Sequence, residues 1–410
     1  MKNSIKTAVS LLAVLLLAGS LAAESTSPIL PDVNCTSAVL LDAGTGAVLF
    51  EKNGNLEIPP ASMTKLVTLH LVYKAIAQGE ISKDQMVTID SRADFRSLPP
   101  HSSLMFLEKG QRVSVLDLMK GLAVPSGNDA AIALADLVAG SVNDFVAMMN
   151  KEVRTMGFTR MHFADASGLD ENNRVTAKEF ASFCVTYVKL HPEALKELHS
   201  LSMFTYPKAS NIPEGEKSAY GPIKQSNRNN LLGRYRWADG LKTGYIDESG
   251  YNIALTAEVD GRRLVAVLLG GPGENTHDGS LSRAIDAVNL LSYGFYRFTN
   301  YVPDPSAFKT VEVYGGRQNS LKLAYPDMIP VTLPREAAYV THLVFNLHRP
   351  VIAPVHKGDE IGQLEVRINN KVVSSYPVAA GEDIAPGSVI KRFFDWIKRI
   401  VIKPVLFRKL

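Results

Sequence analysis

The sequence predicts an α+β domain, then a small all-β domain and a C-terminal amphipathic helix. Three observations predict this order. Strand-like runs lie at both ends of residues 30–300 with helical segments between them, so the first and last segments complete one sheet. Residues 306–385 carry short β-like runs and no helical period. Residues 388–410 place bulky apolar groups on one helical face and cations on the other.

The bulk properties fit that plan. The 410 residues leave room for two or three domains, and 46% hydrophobic with 21% charged residues is an ordinary globular composition. Lys and Arg number 44 against 41 acidic residues, a net charge of +3 that is too balanced for a nucleic-acid partner. The nine histidines and two cysteines show no His-x-x-x-His or Cys-x-x-Cys spacing, so neither a metal nor another cofactor is expected. Cys35 and Cys184 are too few to staple a chain of this size, and the sequence leaves open whether they pair.

The elements follow in order. Residues 1–22 read as an export signal: Lys2 and Lys6 precede an apolar run from Ala8 to Ala18, and Ser20-Leu21-Ala22 offers small residues for cleavage. A membrane span needs about 20 apolar residues, more than this run supplies. "SAVLLDAGTGAVLFEKN" is a hairpin turning at residues 42–46. A helix is expected from Ser62 to about Gln78, and further helices between Leu116 and Met149, broken at Pro125-Ser126-Gly127 and at Gly140. "YNIALTAEV" and "RRLVAVLLG" flank Asp260-Gly261, a tight-turn pair, and residues 281–298 are helical. "YVPDPSAF", residues 301–308, reads as a linker because of its two prolines. The β runs beyond it end with a turn at Asn369-Asn370.

The tail is read as a helix lying in a membrane surface. Ile390, Phe393, Phe394, Ile397, Ile400 and Val401 share one face, with Lys391, Arg392, Asp395, Lys398, Arg399 and Lys403 opposite. Seven basic residues against one acidic residue in 388–410 give it about +6, and its charges interrupt any run long enough to span. Pro404 should stop the helix near Lys403.

Three short motifs carry the chemistry. Ser62-x-x-Lys65 opens an apolar helix; alone it could be a capping serine, and the pattern recurs at Ser306–Lys309 and Ser388–Lys391. Ser126-x-Asn128 sits at a helix break and recurs at Ser141–Asn143. Lys242-Thr243-Gly244 occurs once, entering a strand. Each is weak alone, but the ordered trio, each member at the edge of an element, is the signature shared by penicillin-binding proteins and class A β-lactamases.

The likeness extends beyond the trio. "LLDAGTGAVLFEKNGNLEIPPASMTKLVT", "SSLMFLEKGQRVSVLDLMKGLAVPSGNDAAIALAD", "HFADASGLDENNRVTAKEFA" and "LKTGYIDESGYNIALTAEVDGRRLVAVLLGG" closely resemble low-molecular-mass penicillin-binding proteins, the serine D-alanyl-D-alanine carboxypeptidases. The resemblance implies a penicillin-binding-protein/β-lactamase-like catalytic domain over 30–300, a small β domain over 306–385 and a membrane-binding helix over 388–410. It also implies an exported enzyme on the periplasmic face of the cytoplasmic membrane. Such an enzyme removes the terminal D-alanine from peptidoglycan pentapeptides through an acyl-enzyme and is acylated by β-lactams.

Carried onto this sequence, Ser62 is the nucleophile and Lys65, as a neutral amine, its base. Burial and Lys242 must lower the pKa of Lys65 for that role. Ser126 relays a proton to the leaving amine, Asn128 binds the substrate backbone, and Lys242 with Thr243 suits its terminal carboxylate. The N–H groups of Ser62 and Tyr245 would form the oxyanion hole, and Gly244 would let the strand approach substrate. Three positions depart from the family pattern: Ser167 stands where a His often precedes Gly-Leu-Asp, Tyr245 stands where His or Thr often follows Lys-Thr-Gly, and "PGENTHDG" lacks an arginine that helps hold the substrate carboxylate in some relatives.

Rival readings share the fold. A β-lactamase of class A would need a Glu-x-x-Leu-Asn segment, which is not found. A transpeptidase or endopeptidase differs only in the acceptor or the substrate, and a non-enzymatic membrane scaffold would have no use for the intact trio.

Overall fold

The computed structural model describes residues 30–401 and 407–409, so the export signal expected at 1–22 lies outside the described residues. Five antiparallel strands form the central sheet: β1 (Ser37–Asp42), β2 (Val48–Lys52), β3 (Ala238–Ile246), β4 (Gly250–Val259) and β5 (Arg262–Gly271). Their order is β2-β1-β5-β4-β3, so the first strand pairs with the last, Ser37 opposite Leu269. The nearly unbroken apolar run of β5 follows from cover on both faces. Val265, Val267 and Leu269 enter the larger core, whereas Leu264, Ala266 and Leu268 enter a second core on the other side.

The larger core is built by five helices: α1 (Lys65–Ala77), α2 (Val115–Ala123), α3 (Asn128–Ala139), α4 (Val142–Thr155) and α5 (Ala177–Leu190). Local chemistry sets their ends. Ser114, Ser141 and Thr176 each accept the N–H three residues on, and Gly140 closes α3 at φ +79. The second core lies under α6 (Thr276–Arg297). This helix starts five residues before the expected Leu281, because the Asn275 side chain accepts the N–H groups of His277 and Asp278. Cys35 lies in the second core and Cys184 in the larger one; both are buried and free, which answers the pairing question.

Residues 301–308 differ from the linker expected there. β6 (Phe298–Tyr301) directly follows α6 and pairs with β9 (Val331–Pro334), and Phe308 is buried in the core of the β domain. Prolines marked the ends of these short pieces rather than a free connection. Thr45, in the β1–β2 turn, also hydrogen-bonds Thr332.

The β domain proper is a seven-stranded sheet. It comprises β7 (Thr310–Tyr314), β8 (Ser320–Ala324), β10 (Thr341–Leu347), β11 (Val351–Ile352), β12 (Glu360–Ile368), β13 (Lys371–Ala380) and β14 (Phe407–Lys409), in the order β11-β7-β8-β13-β12-β10-β14. Asn369 and Asn370 both take positive φ at the β12–β13 turn, the conformation a two-residue hairpin requires.

The tail helix is α7 (Val389–Val401), and none of its residues is buried. Its polar face meets β7: Asp395 accepts the Gly315 N–H and pairs with Lys391, and Lys398 pairs with Glu312. Val389, Ile390, Phe393, Phe394, Trp396, Ile400 and Val401 stay exposed. The helical reading of 388–410 is corrected at its far end, where residues 407–409 pair with β10 as a strand. Pro404, which cannot donate to a helical ladder, lies between the two pieces. Among the described residues no single helix is long and apolar enough to cross a membrane.

Candidate active site

Ser62 is not a helix cap. It sits in a 3-10 turn, Ala61–Thr64, and the N-cap position of α1 is Thr64, which makes no side-chain cap. The partner of Ser62 is Lys65, one turn along, whose Nζ lies 2.9 Å from Ser62 Oγ. Lys65 is wholly buried, and its Nζ also reaches Asn128 Oδ1 at 2.7 Å and the Ser167 carbonyl at 2.6 Å. These three partners match both charge states. As an ammonium Lys65 donates to all three; as an amine it donates to the two carbonyls and turns its lone pair to the Ser62 hydroxyl. Burial lowers the Lys65 pKa to about 7, against the opposing pull of Asp165 and Asp129.

The second motif enters from the α2–α3 junction. Ser126 takes φ +70, a left-handed conformation that costs a non-glycine residue of order 1–3 kcal/mol and clusters at working sites. Its Oγ is buried without a hydrogen-bond partner and borders the cleft, the mark of a hydroxyl held for something absent. Asn128 begins α3, and the neighbouring Asp129 carboxylate accepts the N–H groups of Met105, Phe106 and Leu107, pinning the loop across the junction.

The third motif lies on β3, the edge strand of the sheet. Lys242 is buried and donates to the Thr243 carbonyl; burial, then Lys65, Arg283 and Arg228, hold its pKa well below the usual lysine range. Thr243 and Tyr245 line the cleft. Gly244 borders it too, and its missing side chain also serves packing within the protein. A Cβ at Gly244 would lie 2.5 Å from the Pro60 carbonyl and 3.1 Å from the Ser62 nitrogen, so the absent side chain admits the turn bearing Ser62. The Tyr245 ring packs against Tyr251, centroids 4.4 Å apart and tilted by 34°, and its hydroxyl donates to Asp247.

Ser167 contributes its carbonyl to Lys65, a contact that is indifferent to which side chain stands there. The loop is fixed by Asp165, which accepts the N–H groups of Ser167, Gly168, Leu169 and Asp170.

The motifs share one cleft of about 700 Å³, bordered by Ser62, Ser126, Thr243, Gly244 and Tyr245. Among the described residues no Asp or Glu lines it, whereas Arg228 and Arg283 do. The sequence reading missed both arginines. Arg283 did leave a signal: it falls in register with Ala287, Leu290, Leu291 and Gly294, a charge on the buried stripe of α6.

The D-alanyl-D-alanine carboxypeptidase family matches residues 23–273, more than half of the chain, and the penicillin-binding protein 5 C-terminal domain matches residues 298–386. The chain belongs to the D-alanyl-D-alanine carboxypeptidase family. It is a serine-type hydrolase with the penicillin-binding protein 5 fold. Its relatives include D-alanyl-D-alanine carboxypeptidase DacA of Haemophilus influenzae, 33% identical over 384 residues covering 90% of this chain and 89% of that one. A crystal structure of penicillin binding protein 5 from Haemophilus influenzae superposes with a TM-score of 0.73 at 31% identity, covering 87% of this chain and 99% of that one. Penicillin-binding protein D2 from Listeria monocytogenes in its ampicillin-bound form gives a TM-score of 0.54 at 28% identity, over 66% of this carboxypeptidase and all of that chain (100%).

Proposed function

We propose that this carboxypeptidase removes the terminal D-alanine from peptidoglycan pentapeptides through an acyl-enzyme on Ser62. The observation that carries the reading is a wholly buried lysine amine 2.9 Å from the serine hydroxyl. Ser62 Oγ attacks the carbonyl carbon of the penultimate D-alanine as its proton passes to neutral Lys65. The developing oxyanion takes the N–H groups of Ser62 and Tyr245, donors aimed where charge appears. Collapse breaks the C–N bond, and the proton reaches the leaving D-alanine amine through Ser126, whose free hydroxyl supports this role. Water then cleaves the ester, releasing tetrapeptide and restoring Ser62. Asn128 holds the substrate backbone, and Lys242 with Thr243 faces its carboxylate.

The same step opens a β-lactam ring, and the ampicillin-bound relative supports acylation of this chain by penicillins. Among the described residues no carboxylate lines the cleft, so the deacylating water has no class A β-lactamase-type glutamate, and its activation falls to the neutral Lys65 amine. Export, and attachment by α7 to the outer face of the cytoplasmic membrane, complete the proposal. The exposed apolar face of the helix suits the acyl region and its flanking cations suit anionic headgroups.

Incubation with a muropeptide pentapeptide tests the reaction. Tetrapeptide and free D-alanine are the expected products; cross-linked dimers as the main product would assign a transpeptidase instead. Mass spectrometry of penicillin-treated protein should place the adduct on Ser62, and an adduct that survives Ser62→Ala would overturn the assignment.

A further inference from the structure

β3 is an edge strand, paired with β4 on one side only. In such a strand the backbone groups of alternate residues face away from the sheet. The Leu241 carbonyl is one of these, and it accepts from His199 Nδ1 at 3.2 Å. Thr243 and Tyr245 follow at the same two-residue spacing, in unbroken register with β4 from Leu241 to Ile246, so the edge that meets the cleft begins at this bond. His199 ends the short helical turn Leu195–His199 and is wholly buried. A carbonyl only accepts, so Nδ1 carries the proton and Nε2 is left to accept from the Tyr187 hydroxyl, 2.8 Å away on α5. Burial pushes the His199 pKa down to about 3 against the pull of the Leu241 bond, and Lys242 adds to the fall, so the ring is neutral at working pH. The residue also packs on the strand, since a Cβ at Gly240 would lie 3.0 Å from His199 Cβ. Asn227, which lines the cleft, donates to the Leu201 carbonyl at 2.9 Å beside the same turn. Farther along β3, Gly244 fits against the Ser62 turn. The strand is thus held at two points, with Thr243 between them and Tyr245 just beyond.

We propose that His199 is a positioning residue for acylation: its Nδ1–H, aimed by Tyr187, seats the start of β3 and so sets where Thr243 and the Tyr245 N–H stand relative to Ser62. The proposal rests on the carboxypeptidase reading of the cleft and adds a residue that never touches substrate. An edge strand has no ladder on its outer side to hold it, so a shift at Leu241 passes along β3 towards Tyr245. The oxyanion forms only after binding, so a displaced Tyr245 N–H weakens the transition state more than the first complex. The contribution of His199 therefore falls on the acylation step rather than on initial binding.

Stopped-flow acylation of the full chain by a fluorescent penicillin, below the unfolding midpoint of each variant, separates the dissociation constant of the first complex from the acylation rate constant. His199→Gln puts its amide near the former Nε2 and leaves the Leu241 carbonyl unpaired. The acylation rate constant should fall about 10- to 100-fold, with the dissociation constant within about threefold of wild type. His199→Asn puts an amide N–H near the former Nδ1 and should recover most of that rate, although it is the smaller side chain and leaves the larger void. Packing alone gives the reverse order, with Asn the worse replacement in both stability and rate. Gly240→Ala pushes the strand off His199 without removing a polar group and carries the test should His199→Gln fail to fold. It should lower the acylation rate constant at least about fivefold at an unchanged dissociation constant. A wild-type rate constant in His199→Gln, or His199→Asn no faster than His199→Gln, overturns the proposal. So does an unchanged rate constant in Gly240→Ala where that variant stands alone. Absence of a Ser62 adduct in the wild type overturns the carboxypeptidase reading instead.

Discussion

Gly168→Ala should disable the enzyme without touching a polar group. Gly168 takes φ +84, and a Cβ built there lies 1.8 Å from the Ala61 carbonyl oxygen, 2.3 Å from its carbon and 2.9 Å from the Ser62 nitrogen. Ordinary contact begins near 3.4 Å, so one side must move by about 1.6 Å, the difference between 3.4 and 1.8. Neither side can move without loss. Shifting the 61–62 turn displaces the nucleophile and its N–H. Shifting the 165–170 loop strains the Asp165 hydrogen bonds and withdraws the Ser167 carbonyl from Lys65. A misplacement of about 1 Å can cost about 100-fold in rate, and the left-handed backbone adds about 1–2 kcal/mol of instability. The acylation rate constant with fluorescent penicillin should therefore fall at least about 100-fold, with a lower unfolding midpoint. Acylation within about threefold of wild type at an unchanged midpoint would refute the packing argument.

Three further outcomes follow from other contacts. Asp129→Asn keeps the shape but loses acceptor capacity for the Met105, Phe106 and Leu107 N–H groups, and should destabilise by about 2–4 kcal/mol in urea titrations. Lys65→Met should gain most stability relative to wild type below pH 7. A folded pKa near 7 against an ordinary 10.5 means the unfolded chain binds more protons between those values, so the wild type loses stability as pH falls through that window; denaturation at pH 6.5 and 8.5 reads the difference. Replacing Phe393, Phe394 and Ile400 by Ser should abolish co-sedimentation with anionic vesicles and leave penicillin acylation unchanged, because the contacts to Gly315 and Glu312 lie on the other face. Vesicle binding that survives would remove the membrane role of α7.

Much of the fold was legible because its signals are local. Asp260-Gly261 and Asn369-Asn370 read as turns from residue type, and the β1–β2 hairpin from the two apolar runs around residues 42–46. The Asn275 cap lies outside the apolar period, so periodicity alone starts α6 late, and prolines at 303 and 305 suggest a linker where short paired pieces stand. In the site, order along the chain pointed to Ser62, Lys65, Ser126, Asn128 and Lys242 because each lies at the edge of an element. What the sequence could not carry was convergence in space. The interdigitation of Gly244 and Gly168 with the Ser62 turn depends on backbones more than 100 residues apart. Arg283 escaped because helical periodicity treats a charge on the buried stripe as an exception.

The central claim is that a neutral, buried Lys65 activates Ser62. The most direct measurement is the rate constant for benzylpenicillin acylation of the full chain between pH 5.5 and 8.5, over which the ligand stays ionised. The account predicts a rise with half its maximum near pH 7, as Lys65 loses its proton, and no acylation in Lys65→Arg, whose guanidinium stays charged throughout. A flat profile in the wild type, or near-normal acylation in Lys65→Arg, would contradict it.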